Sequence, residues 1–161
     1  MSNLLAKKSV QLVKNYIETL DINVQLIELD STARTAQDAA NSLNQEVGSI
    51  VKSLLFRSSE NEFYLCLVSG DKYLSTEKVA SITGNKIIKS SADEVKKQTG
   101  FSIGGVSPFA HLIPPNRIFI DKNLNRFDMV YAAAGHPYVV FGITYLDLLN
   151  TTLAEEKVIT E

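Results

Sequence analysis

Two runs of residues decide how this chain folds: SIVKSLLFR, residues 49–57, and FYLCLVS, residues 63–69. Both are rich in aliphatic, aromatic and β-branched side chains, and the polar segment between them, Ser58 to Glu62, has the length of a hairpin loop. FYLCLV is apolar at every position, which predicts a central strand covered on both faces. In the first run, strand alternation puts Ile50, Lys52, Leu54 and Phe56 on one face. A cation among three apolar neighbours breaks the pattern, and burying it unpaired is costly. Two readings fit Lys52. It belongs to an edge strand and extends its ammonium to water, or it stands at the mouth of a cleft and holds an anionic or carbonyl oxygen.

Outward from this hairpin, helices and strands alternate without a regular βαβ period. Val10, Val13, Ile17 and Leu20 recur at helical spacing, predicting a first helix over 4–20 that ends before Asp21. Val24–Leu29 reads as a strand. Thr35 caps a second helix, with Asp38 three residues on and Asn44 as its stop. Ser75 to Thr83 is a short helix stopped at Gly84, and Lys86–Ile88 a short strand. Ser91 and Glu94 form a capping box for a helix ending at Thr99 and Gly100. Arg117–Asp121 and Met129–Ala134 are further strands. Gly135-His136-Pro137 turns the chain into the strand Tyr138–Phe141, and Thr144 and Asp147 cap a last helix over Tyr145–Asn150. From Thr152 onward the chain reads as a frayed tail. One α+β domain over 1–161, a mixed sheet flanked by helices, is the expectation.

Composition narrows the function classes. The chain has 161 residues, 45% of them apolar, which suits an ordinary domain with a real core. The net charge of −2, from 16 basic and 18 acidic residues, excludes a globally basic nucleic-acid binder. One cysteine gives no disulfide framework, and with two histidines makes a metal site improbable, so neither metal nor cofactor is expected. There is no phosphate-binding G-x-x-x-x-G-K-[ST] loop and no G-x-S-x-G elbow. Cys66 lies inside an apolar strand, where a thiol stays neutral and inert. No apolar run has the length of a membrane span and no signal peptide is visible, so a cytoplasmic protein is expected.

The stretch FSIGGVSPFAHL, residues 101–112, is the other unusual feature. Gly104 and Gly105 let backbone N–H groups approach a ligand, and Pro108 stiffens the loop beyond them. Such a loop can offer a row of fixed donors to an oxyanion. It can equally be a crowded chain crossing where only glycine fits. His111, and His136 in its turn, have the solvent-facing, inert role as their default.

Taken in order, Thr35-Ala36, Ala39-Ala40, Ile50–Phe56, Gly70-Asp71, Lys78, Thr99-Gly100-Phe101, Gly104–Phe109, Asp121 and Ala133-Ala134-Gly135 resemble the YbaK/ProX-type aminoacyl-tRNA deacylases. These are relatives of the editing insertion domain of bacterial prolyl-tRNA synthetases. The resemblance runs from about Thr35 to the last helix, and the pairing of IVKSLLF with TGF-x-x-GGVSPF carries it. Ala110 stands where many members have a third glycine, Asn44 replaces a helix-ending glycine, and Tyr138–Phe141 is apolar where some members carry an acidic group.

The resemblance implies a curled mixed sheet and hydrolysis of the ester joining a wrong amino acid to a tRNA 3′ end, with Cys-, Ala- or a similar small residue on tRNAPro or another tRNA as substrate. It implies that Lys52 holds the substrate, that Gly104, Gly105, Val106, Ser107 and Pro108 line the aminoacyl pocket through their backbone, and that Gly135 and His136 lie near the same cleft. Val106 and Phe109 would set the pocket's size. Lys72, Lys89, Lys96 and Lys97 are candidate cations for the acceptor end. The near-neutral charge predicts weak binding of free tRNA, so a synthetase or elongation factor is an expected partner. A noncatalytic module that binds tRNA or a small ligand, and a purely structural partner domain, stay open as alternatives.

Overall fold

The computed structural model describes residues 3–31 and 33–161. Near the N-terminus a 3-10 turn, Leu4–Ala6, is followed by helix α1, Lys8–Glu18. The single helix expected over 4–20 is thus interrupted at Lys7, whose backbone is extended (φ −61°, ψ 140°). Val10, Val13 and Ile17 form the buried stripe of α1. Strand β1, Leu26–Glu28, is shorter than expected.

Local chemistry fixes the next helices. Helix α2, Ala36–Leu43, opens on a full capping box between Thr35 and Asp38 and closes on left-handed Asn44. Strands β2, Val51–Ser58, and β3, Phe63–Ser69, come next. Helix α3, Thr76–Thr83, is capped by Ser75 and stopped at Gly84. Strand β4, Ile87–Lys89, leads to helix α4, Ala92–Thr99, which has the Ser91–Glu94 box and the Gly100 stop. After the 101–116 loop come β5, Arg117–Asp121, and β6, Met129–His136. Strand β7, Val139–Thr144, then enters helix α5, Tyr145–Thr152. His136, expected in a turn, is the last residue of β6, beyond a bulge that begins at Ala133.

The strands make two sheets, ordered β1-β7-β6 and β4-β2-β3-β5 with a fifth strand beyond β5. β2 and β3 pair antiparallel, and β3 and β5 parallel. Strand alternation then sorts the core. Leu65 and Leu67 of β3, with Val51 and Leu55 of β2, face the cluster built on α1 and β6. Tyr64, Cys66 and Val68, with Phe56, face the smaller cluster that includes Val79 of α3. β3 is therefore covered on both faces, as its unbroken apolar run requires.

The C-terminus corrects the sequence reading. The segment expected to fray carries the fifth strand of the larger sheet, β8, Glu155–Lys157, parallel to β5. Beyond it Ile159 is fully buried and Thr160 bridges Leu74. Two polar bonds from this segment to Asp121, itself wholly buried, tie it down. Asp121 accepts from Ile159 N–H (2.9 Å) and Thr160 Oγ1 (3.1 Å), and also from Asn123 N–H (3.1 Å).

Candidate active site

The two sheets meet at one parallel bridge, Ile50 to Tyr131, and separate beyond it. β4 covers only Phe56–Ser58 of β2, so among the described residues no strand pairs with the outer edge of β2 from Lys52 to Leu54. Ile50 C=O accepts from Gly70 N–H on the β3 side, and Leu55 C=O accepts from Ser90 N–H on the other side. Alternation therefore turns the peptide groups of Ser53 to the open edge. A cavity of about 270 Å³ lies there, walled by Ile50–Leu55, the start of α2, Ser90, Gly104 and Val106.

Lys52 lies half-buried on this wall. Its Nζ donates to Lys72 C=O (2.5 Å) and stands 5.2 Å from the centre of the Tyr73 ring. Burial lowers its pKa from the ordinary lysine value; Asp71 opposes that shift and Lys89 adds to it. Asp71 is held by Arg126 through two bonds of 2.8 and 3.2 Å. Lys52 thus lies on the open half of β2 and lines the cavity, with its ammonium bound to Lys72 C=O rather than extended to water.

The glycine-rich loop divides between two surroundings. Gly104 (φ +89°) and Val106 line the cavity with Lys52, and neither N–H has a hydrogen-bond partner among the described residues. The N–H of Gly105 closes a turn onto Ser102 C=O (2.9 Å). A Cβ on Gly105 would sit 3.0 Å from His136 Cα and N, so this glycine serves a close crossing over the end of β6. Gly135 (φ +88°) has the backbone of Ser9 against it, which likewise leaves no room for a side chain.

Ser107, Pro108 and Phe109 point elsewhere. Ser107 is fully buried, and its Oγ accepts from Phe109 N–H (3.2 Å). Phe109 stacks between Tyr16 (5.0 Å) and Phe141 (5.3 Å), and with Pro108 it lines a second, smaller hollow beside His111. His111 Nε2 donates to Ser107 C=O (2.6 Å), leaving Nδ1 unprotonated and without a partner; burial lowers its pKa. His136 Nδ1 accepts from Tyr138 N–H (3.0 Å) and does not line the cavity, whereas its neighbour Pro137 does. Burial pushes the Cys66 thiol up to about 12, so it is protonated and inert.

The sequence reading passed over two residues. Ser53 and Ser90 line the cavity, and the hydroxyl of each is shielded from solvent without a hydrogen-bond partner among the described residues. Buried polar groups are rarely left unpaired, and here two belong to residues of one wall. Ser53 stands next to Lys52 in the motif, which was the available signal; nothing in the order of residues brings Ser90 to it.

Comparison with known proteins places this geometry. Residues 30–151 match the family described as aminoacyl-tRNA editing domain. The chain is 30% identical over 127 residues to the uncharacterized protein YwhH of Bacillus subtilis, covering 79% of this chain and 80% of that one. It is 34% identical to proline–tRNA ligase of Thermosipho africanus over 76 residues, 47% of this chain and 13% of the ligase. A crystal structure provisionally described as a trans-editing enzyme for prolyl-tRNA synthetase superposes with a TM-score of 0.91 at 35% identity, over 96% of this chain and 98% of that one. The matched region runs through the open edge of β2, the cavity and the glycine loop, and the chain belongs to the aminoacyl-tRNA editing domain family.

Proposed function

We propose that this protein is a trans-editing deacylase that hydrolyses the ester of a mischarged tRNA carrying a small amino acid such as alanine or cysteine, on tRNAPro or another tRNA. One observation carries the reading: Lys52, Gly104 and Val106, whose amides have no hydrogen-bond partner among the described residues, and Ser53 and Ser90, whose hydroxyls have none, all line one cavity. Its volume, about 270 Å³, falls below that of sites for drug-sized ligands and suits an aminoacyl group with its ribose.

An ester needs less help than an amide. A water, oriented by a neighbouring hydroxyl of the substrate, attacks the carbonyl carbon and gives up a proton. The amides of Gly104 and Val106 stabilise the oxyanion as it develops. The bond to the ribose oxygen breaks, that oxygen takes a proton, and the amino acid leaves. Lys52 attracts the phosphate or ribose region and fixes the ester against the loop, so it positions more than it exchanges protons. Gly105, Gly135 and His136 hold the loop at its crossing, and Ser107, Pro108 and Phe109 anchor it in the core. This chemistry uses no metal and no covalent enzyme intermediate. A net charge of −2 gives weak affinity for free tRNA, so a synthetase or an elongation factor in the cytoplasm supplies the encounter.

The test is a panel of mischarged tRNAs, Ala-, Cys- and Ser-tRNAPro among them. Wild type is expected to release the amino acid faster than buffer from at least one, and Lys52→Ala to be slower on it by about 100-fold, the scale of a lost positioning contact. Equal rates for Lys52→Ala and wild type would remove Lys52 from the mechanism. Ester loss at the buffer rate across the panel would favour a noncatalytic binding module.

A further inference from the structure

We propose that the ring of Tyr73 is a stacking platform for a nucleobase of the tRNA's single-stranded acceptor end. The inference rests on the reading above, that the cavity takes the ester at that end. Tyr73 is 74% exposed, yet its backbone is held firmly. Its C=O accepts from Glu161 N–H (2.9 Å), Leu74 bridges Thr160, and Ser75 N–H donates to Ile159 C=O (2.8 Å). On the other side, Lys72 C=O holds the ammonium of Lys52. A fixed ledge thus presents a large aromatic ring to solvent, with the Lys52 ammonium over one of its faces.

Position and charge select the occupant. The cavity cation Lys52 stands 5.2 Å from the ring centre, so the ring lies directly beside the cavity. Lys89 lines the same cavity, and Lys72 adjoins Tyr73 in the chain. An aromatic face flanked by cations is what unpaired nucleotides use, the base stacking and the phosphates pairing. A cavity of about 270 Å³ that houses the aminoacyl group and ribose leaves the base outside it, and Tyr73 stands outside the cavity next to its lining residue Lys52. Tyr16, the other aromatic residue with a broadly exposed side chain among the described residues, stacks on Phe109 beside the second hollow and is not available here.

The experiment uses an acceptor-stem RNA hairpin with a 3′ CCA end and 2-aminopurine in place of the terminal adenine, titrated at low salt. Wild type is expected to quench the 2-aminopurine as it stacks. Tyr73→Ala should lose the quenching and bind about tenfold more weakly, as loss of one base–aromatic stack does. Tyr73→Phe and Tyr73→Trp keep a flat ring and should restore both signals. No quenching by wild type, undiminished quenching by Tyr73→Ala, or Tyr73→Phe failing as badly as Tyr73→Ala would each overturn the proposal. Quenching that depends on Tyr73 while every mischarged tRNA survives would leave the platform standing and remove the hydrolysis. Hydrolysis without quenching would do the reverse.

Discussion

Ser53 and Ser90 put function and stability in opposition. Each belongs to the cavity wall and keeps a hydroxyl away from solvent, with no partner for it among the described residues. If these hydroxyls serve the substrate, removing them costs the folded protein little, because no internal hydrogen bond is lost. Ser53→Ala and Ser90→Ala are expected to change unfolding free energy by less than about 1 kcal/mol, while each lowers kcat/KM for deacylation roughly fivefold, one hydrogen bond's worth. Urea unfolding beside single-turnover kinetics reads both; full activity in both variants would leave the hydroxyls without a substrate role. Gly104 and Gly105 show how little adjacency says about role. One lines the cavity in a left-handed conformation, and the other sits where its missing Cβ lets β6 pass. The close-crossing reading of FSIGGVSPFAHL holds at Gly105, while Gly104, one residue away, lines the cavity.

The segment after α5 is the element whose importance the sequence hides. Glu155–Lys157 completes the larger sheet, and residues 159–161 fasten the 73–75 ledge. Motif residues from distant parts of the chain converge on it. Asp121 accepts two bonds from it, and Lys78 Nζ donates to Thr160 C=O (2.6 Å). Ile159, fully buried among Tyr64, Phe119 and their neighbours, should be costly to truncate. Ile159→Ala is expected to lower stability by about 3 kcal/mol, within the range for a buried aliphatic cut to alanine. A shift in urea midpoint equivalent to less than about 1 kcal/mol would mean that the tail packs loosely. The helices, by contrast, announce themselves: Thr35, Ser91 and Thr144 each cap as their spacing to an acidic residue predicts.

Across the whole molecule, His111 links the glycine loop to pH. Its folded-state pKa lies below the ordinary 6.5, chiefly through burial. Below pH 6.5 the unfolded chain takes up a proton that the folded protein resists, so this contribution to stability is present above that pH and is lost as pH falls. Between pH 6.5 and 5 wild type should lose stability more steeply than His111→Gln, in denaturant titrations at each pH; parallel slopes would show that the ring is already hydrated. The sequence by itself carried most of the elements, the buried stripe of α1, the covering of β3 on both faces and the pairing of β2 with β3, because capping, periodicity and hairpin length act between near neighbours. It also carried the family, through Lys52 and the loop at residues 104–108. Tertiary structure alone assigned the open edge of β2, the turning of Ser107–Phe109 into the core, the meeting of Ser53 with Ser90, and the ordered tail. Each depends on contacts between segments tens of residues apart, where burial and hydrogen bonding are settled by what the rest of the fold leaves uncovered.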